Sequence, residues 1–113
     1  MAFTIDQLFA PAFLSDTVAL VYTASASQRV SLTTVLAVNT SLVDPYWLQI
    51  HLVPTGGAPS DVNIILPEFT LRPGESRSLE DLRGVIVPPE AELWAFAEDP
   101  SVVSLSASGL LMP

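Results

Sequence analysis

The chain of 113 residues suits one domain, and its lack of cysteine excludes disulfides and thiolate metal sites. Its 4 basic residues, all arginine, stand against 12 acidic residues, so the clustered positive charge needed to bind nucleic acid or an anionic membrane is missing. No run of about 18 apolar residues occurs, which excludes a transmembrane helix from this sequence.

Residues 1–15 are predicted to form an apolar N-terminal arm that contains a short helix. Thr4 is the candidate helix cap, Gln7 its capping-box partner, and Pro11 would end the helix after little more than one turn. The large apolar side chains of this arm are Phe3, Leu8, Phe9, Phe13 and Leu14. They either complete the core of the domain or dock on another protein. We favour docking, because so short a terminal helix is not stable alone.

From residue 16 onward the hydrophobic pattern has a period of two, which is typical of strands. Segments 17–24, 28–41 and 46–54 are each expected to form one strand. Within 28–41, one face is predicted to carry Val30, Leu32, Thr34, Leu36 and Val38.

The second half of the chain continues as short strands separated by turns. Residues 55–61 read as a loop, followed by a strand near 62–66, a break at Pro67 and a strand near 68–72. Arg72-Pro73-Gly74-Glu75 predicts a type II turn, with Gly at the position that requires positive φ. One or two short strands are expected before residue 90, then strands within 91–99 and 101–112. The fold class predicted for residues 16–113 is therefore an all-β antiparallel sandwich.

His51 is the only histidine and lies four residues after Trp47, within a predicted strand. A Ser-His-Asp site would need a serine and a carboxylate beside it, and the chain has no GxSxG nucleophile elbow. We interpret His51 as an exposed or interfacial strand residue without a catalytic role.

Trp47 and Trp94 are out of phase with the most aliphatic faces of their strands. Three interpretations remain open for them: they close the edge of the core, they anchor a contact with another chain, or they stack on a sugar. Together with His51 and the five apolar residues of the arm, they make up the candidate interface.

The remaining polar motifs are interpreted as structural. Acidic neighbours such as Glu90 and Glu92 lack the spacing of calcium loops, and no paired carboxylates suggest a glycosidase cleft. Asn39-Thr40-Ser41 matches the glycosylation sequon, which we attribute to chance. The sequence therefore predicts no enzyme, no metal site and no cofactor.

Several segments of the sequence resemble a group of small bacteriophage proteins. These are "VYTASASQRVSLTTVLAVNTS", "IHLVPTGG", "TLRPGESRSLEDLRGVIV" and "LWAFAEDPSVVSLSASGLL", which together cover most of residues 22–112. The resemblance departs at one corner, where "PPEAE" replaces an "AGD" turn. It implies a virion structural protein of the tail, neck or adsorption apparatus, with an immunoglobulin-like or jelly-roll-like sandwich. It carries over no catalytic residue.

The low charged fraction of 14% and the mean hydropathy of +0.48 predict that part of the surface is covered by other chains. We therefore expect a homo-oligomer that contacts other virion proteins as a decoration, cement, neck or tail accessory protein. The alternative is a carbohydrate- or receptor-binding module of a tail fibre, which would use Trp47 and Trp94. Both alternatives locate the protein in the virion.

Overall fold

The computed structural model describes residues 3–113, which form nine strands and two single turns of 3-10 helix. The strands are β1 Thr4–Phe13, β2 Ala19–Thr23, β3 Arg29–Asn39, β4 Tyr46–Val53, β5 Ile64–Leu71, β6 Ser76–Ser78, β7 Ile86–Val87, β8 Glu92–Ala97 and β9 Val103–Met112. The 3-10 turns are Asp61–Asn63 and Glu80–Leu82. None of the helices within residues 3–113 is long and apolar enough to cross a membrane.

The strands form two antiparallel sheets that pack face to face, which confirms the predicted sandwich. Sheet A has the order β1-β9-β3-β6, with β7 also paired to β3, and sheet B has the order β2-β8-β4-β5. The pairing is nested, because the first strand pairs with the last, the second with the eighth and the fourth with the fifth. This is the topology of a jelly roll rather than of an immunoglobulin domain.

The hydrophobic core lies between the two sheets and is supplied by alternate residues of the central strands. In β8 the inward positions are Leu93, Ala95 and Ala97, each at most 3% exposed. In β9 they include Val103 and Leu105, at most 2% exposed. Removing these side chains from water is the main force that holds the sheets together.

The predicted N-terminal helix is wrong, because residues 4–13 form the edge strand β1. This strand pairs with β9, from Thr4 opposite Leu111 to Phe13 opposite Ser104. The capping signal at Thr4 is local and weak, whereas pairing satisfies the backbone groups along one whole side of β9. Tertiary contact therefore overrides the local helix signal.

The predicted alternation of β3 is correct only as far as Leu32. The register between β3 and β9 shifts between Leu32 and Thr34, which is a β-bulge. Beyond the bulge the buried residues are Val35, Ala37 and Asn39, so Leu36 and Val38 face outward instead of into the core. The extra residue reverses the two faces of the strand.

β5 is one strand rather than the two that were predicted around Pro67. Its register with β4 shifts between Leu48 and Ile50, opposite the segment that contains Pro67. Proline is tolerated there because β5 is an edge strand and Pro67 lies at an irregularity of the ladder. The type II turn that follows is confirmed, since Gly74 has φ +69° and the Glu75 amide donates to the Arg72 carbonyl at 3.0 Å.

Glu75 joins that turn to β6 through a hydrogen bond and two ion pairs. Its carboxylate accepts from the Arg72 amide at 2.8 Å, and the Arg72 and Arg77 guanidinium groups lie at 3.8 and 3.5 Å. The Arg77 guanidinium also lies 4.9 Å above the ring of Phe69. The backbone hydrogen bond from Arg72 and the two arginine charges lower the pKa of Glu75 below its ordinary value of 4.5.

Replacing Glu75 by Gln is expected to cost stability near neutral pH but not in acid. A carboxylate whose pKa is lowered by folding stabilises the protein above its unfolded pKa, and this contribution is lost as pH falls through the folded value. Thermal melts at about pH 7 and about pH 3 should therefore show a difference between wild type and variant that shrinks in acid. Glu68→Gln is the control, since this exposed carboxylate forms no ion pair within residues 3–113. An equal difference at both pH values would contradict the prediction.

Candidate interaction surfaces

His51 is buried on the outer side of β4, where a loop folds over it. Its side chain is 5% exposed, and its Nδ1 lies 3.1 Å from the Ser60 carbonyl oxygen and 2.9 Å from Asn63 Oδ1. Both partners are acceptors, since Asn63 Oδ1 also accepts from the Ser60 amide while Asn63 Nδ2 donates to the Ala58 carbonyl. Nδ1 therefore carries the proton, and His51 fastens the loop to the strand.

Both ring nitrogens of His51 have hydrogen-bond partners within the chain. Its Nε2 lies 3.0 Å from Gln49 Nε2, so the free lone pair of the ring already accepts a hydrogen bond. No carboxylate or serine hydroxyl of residues 3–113 forms a hydrogen bond with the ring nitrogens. The prediction that His51 is an exposed or interfacial residue is wrong, because the loop covers it. His51 is therefore removed from the candidate interface.

His51→Ala is expected to cost about 1–3 kcal/mol, because the Ser60 carbonyl and Asn63 Oδ1 lose their buried donor. Urea unfolding measures this loss, and faster amide exchange at Asn63 would show that the loop has loosened. Thr70→Ala, on the exposed face of the neighbouring strand β5, should change stability by no more than about 0.5 kcal/mol. A His51→Ala protein as stable as wild type would show that the loop does not depend on this residue.

The acidic residues of the second half of the chain lie mostly at the surface. Glu80, Asp81, Glu90, Glu98 and Asp99 are all exposed. Within residues 3–113 no group of three or more His, Cys, Asp or Glu residues is arranged to hold a metal ion. The sequon residue Asn39 is fully buried, at 0% exposure, so it offers no attachment point for a glycan in this fold.

Aromatic side chains form a row on the outer face of sheet B. Trp47 and Phe96 contact each other edge to face at a centroid distance of 5.4 Å, and Phe96 stacks on His51 at 6.4 Å. Trp94 is the register partner of His51 and donates its indole N–H to Glu92 at 3.0 Å. Trp47, Phe96 and Trp94 are each half-buried, so the row offers partly accessible rings.

The outer face of sheet A is a different kind of surface because it has almost no charge. Asp6 and Arg29 are the only charged residues in β1, β3 and β9. Asp6 is opposite the buried position Gly109, whereas Arg29 lies at one end of the face. We call this surface the uncharged face, and its residues are Ile5, Gln7, Phe13, Ser31, Thr34, Leu36, Val38, Ser104, Ser106, Ser108 and Leu110.

Hydroxyl and apolar side chains alternate across the uncharged face. Leu36 is opposite Ser106, and Val38 is opposite Ser104. At the margins Ile5 is 72% exposed and Phe13 is 56% exposed. In a protein of net charge −8, a sheet face without acids that exposes large apolar groups is typical of a surface that another chain covers.

An apolar groove of about 300 Å³ opens beside this face, between the edges of β1 and β2. Its lining includes Phe13, Leu14, Leu20 and Val21, and none of its lining residues is titratable. The predicted interface includes residues of the arm but not Leu20, which is 47% exposed. Its exposure depends on β2 being an edge strand, which the sequence pattern alone does not show.

The candidate interface of the sequence analysis is therefore only partly at the surface. Phe3 is 61% exposed and lies with Phe13 at the surface, whereas Leu8 and Phe9 are half-buried and pack against the core. Leu14 belongs to the core at 4% exposure and, like His51, presents nothing to a partner. Some side chains of the arm therefore complete the core, and others lie at the surface. The prediction had treated completing the core and docking on another protein as mutually exclusive.

The fold defines the class of this protein as a jelly-roll β-sandwich. No protein-family model matches the sequence, and no match was found among curated proteins or solved structures.

Proposed function

We propose that this protein is a structural component of a bacteriophage particle that acts through protein–protein contacts and catalyses no reaction. The observation that carries the proposal is the uncharged face on a chain of net charge −8. The sequence resemblance supplies the phage assignment. The fold is compatible with this role, because jelly rolls occur in viral capsid domains as well as in lectins.

The mechanism is geometric. Three strands about 4.8 Å apart and about ten residues long give the uncharged face an area on the order of 500 Å². This is more than half of the roughly 800 Å² that each partner of a standard-size complex buries. An uncharged face of a neighbouring particle protein is the partner that fits, because unpaired charges buried against this surface would be costly.

Ser106→Glu tests the proposal, since it places a carboxylate near the centre of the uncharged face. Incorporation into particles that lack the wild-type protein should fall at least about tenfold, while the melting temperature stays close to wild type because Ser106 faces outward. Thr70→Glu makes the same change in charge on exposed β5 of sheet B and should incorporate normally. Normal incorporation of the Ser106→Glu protein would overturn this use of the face.

The aromatic row favours a second candidate function, the binding of a glycan. Trp47, Phe96 and Trp94 lie on one sheet face, and partly exposed rings on such a face can stack on sugars. A glycan array probed with wild type and with Trp94→Ala separates the two functions. Binding that is lost in the variant would favour the glycan module, whereas no binding to any glycan would remove it.

A further inference from the structure

The outer face of β8 carries two aromatic rings between two carboxylates. Glu92, Trp94 and Phe96 are half-buried and alternate with the buried residues of the strand, and Glu98 follows directly after its end. Alternate residues of a strand lie about 6.8 Å apart on one face, so these four side chains extend over about 20 Å. We call them the β8 face.

Hydrogen bonds hold both carboxylates beside the rings. Glu92 accepts from the Trp94 indole N–H at 3.0 Å, and Glu98 accepts from the Trp47 amide at 3.4 Å. Each contact uses one carboxylate oxygen, and neither carboxylate forms an ion pair within residues 3–113. Two negative charges are therefore fixed next to partly accessible rings without a positive partner from the described part of the chain.

Sheet B supplies no positive charge to balance the β8 face. None of the four basic residues of the chain lies in a strand of this sheet. They are Arg29, Arg72, Arg77 and Arg83. The strands of sheet B contribute instead a further exposed acid, Glu68 on β5. The electrostatic complement of the β8 face is therefore a cation.

The protein itself shows which cation suits a ring beside a carboxylate. The Arg77 guanidinium lies 4.9 Å above the Phe69 ring and 3.5 Å from the Glu75 carboxylate. A guanidinium is planar, so it can stack on a ring while its N–H groups donate to a carboxylate. The β8 face offers the same two partners, a ring and a carboxylate, to a guanidinium from another molecule.

We propose that the β8 face binds an arginine-bearing segment of another protein. One guanidinium stacks on the Trp94 ring and donates to Glu92, and a second, two residues along an extended segment, lies over Phe96. Leu20, the register partner of Trp94, is 47% exposed and offers an apolar surface to the methylene groups of the first arginine.

This site goes beyond the proposed function, because it lies on sheet B, on the opposite side of the sandwich from the uncharged face. It also differs from a glycan platform that uses the same rings. A neutral sugar stacks on aromatic faces but gains little from the two carboxylates, and an acidic sugar is repelled by them. The carboxylates therefore favour the arginine segment as the occupant.

An NMR titration of the ¹⁵N-labelled full chain tests the site, because its two tryptophans give two indole N–H signals. The probe is a blocked glycine peptide with two arginines separated by one glycine. The Trp94 indole signal should shift in a saturable manner, with a Kd on the order of 1 mM at low salt that weakens as salt is added. The same peptide with citrulline, the uncharged analogue of arginine, should bind at least about tenfold more weakly. No saturable shift, or equal binding of the citrulline peptide, would overturn the proposal.

Glu92→Gln separates the charge of the site from its fold, since glutamine still offers an acceptor to the Trp94 indole. Binding of the arginine peptide should weaken at least about threefold, with an unchanged melting temperature. Glu80→Gln is the matched control, because it makes the same change in net charge at an exposed residue of the 3-10 turn Glu80–Leu82. Equal weakening in both variants would show that only net charge matters and would reject the site.

Two further ligands decide the chemistry of the occupant. Cellohexaose, a neutral oligosaccharide, should leave the Trp94 indole signal unshifted; tighter binding of this sugar than of the arginine peptide would assign the rings to a glycan instead. The lysine version of the peptide should bind more weakly than the arginine version, because an ammonium does not stack. Equal binding of the two would reject the guanidinium. The proposed structural role is judged separately, by the particle incorporation of the Ser106→Glu variant on sheet A.

Discussion

A protein that lacks residues 2–14 is expected to lose cooperative folding, because β1 is an integral strand of sheet A in addition to contributing exposed side chains. The deletion removes Leu14 from the core and Leu8 and Phe9 from its margin. A fully buried side chain such as Leu14 contributes roughly 1.5–3 kcal/mol and a half-buried one about half as much, so the three together contribute about 3–6 kcal/mol of the roughly 5–15 kcal/mol that stabilises an ordinary domain. The deletion also leaves one side of β9 without partners for its backbone groups.

Circular dichroism and thermal melting of the deletion protein measure this effect, and a broad or absent transition is expected. The matched control keeps β1 and changes only its exposed side chains, as in the double variant Ile5→Ser and Phe13→Ser. These residues are 72% and 56% exposed, so this protein should melt cooperatively near wild type. A deletion protein that still melts sharply as a β-rich domain would show that β1 is an attached arm after all.

The sequence predicted the fold class because the alternation of apolar and polar residues survives in most strands. The prediction of which residues face the core failed where the two faces of a segment are similarly apolar. In Thr34-Val35-Leu36-Ala37-Val38 the apolar residues fall on both faces, so the pattern does not reveal the bulge that reverses them. Similarly, the segment before Pro11 carries a helix-capping signal. It forms a strand because it pairs with the side of β9 that would otherwise be unpaired, and the sequence pattern does not show this pairing.

The candidate surface was predictable in part. Low charge and high hydropathy predict a surface covered by another chain, which stays a prediction. Of the residues in the predicted interface, Phe3 and Phe13 are exposed. The uncharged face was missed because it is assembled from β1, β3 and β9, which are adjacent only in the folded sheet. His51 was misplaced for a related reason: the loop that covers it is polar, so the sequence gives no sign of its burial.

Asn39 was also missed, although it is fully buried and hydrogen-bonded on both its amide nitrogen and its amide oxygen. It ends β3 at 0% exposure, and its Nδ2 lies 3.0–3.3 Å from the carbonyl oxygens of Asp44, Leu71 and Arg72. Its Oδ1 accepts from the Ser41 amide at 3.0 Å. One side chain therefore joins the turn after β3 to the turn after β5, and so links the two sheets.

Asn39→Ala is expected to destabilise the protein by about 3–4 kcal/mol, since it leaves several backbone groups without partners in a place that water reaches poorly. For a chain of this length the melting temperature should fall by about 10–20 °C. The neighbouring substitution Thr40→Ala is the control. It removes the hydrogen bond from Thr40 Oγ1 to the Val102 carbonyl at an exposed position and should cost no more than about 1 kcal/mol.

Asn39→Asp separates the donor role of this residue from its acceptor role. An aspartate of the same shape still accepts from the Ser41 amide, but it has no N–H group for the three carbonyl oxygens and brings an unpaired charge into the core. We therefore expect a loss at least as large as that of Asn39→Ala, which urea unfolding of both variants would measure. If Asn39→Asp were nearly as stable as wild type, the amide of Ser41 would be the partner that matters, and the link between the two turns would have to lie elsewhere.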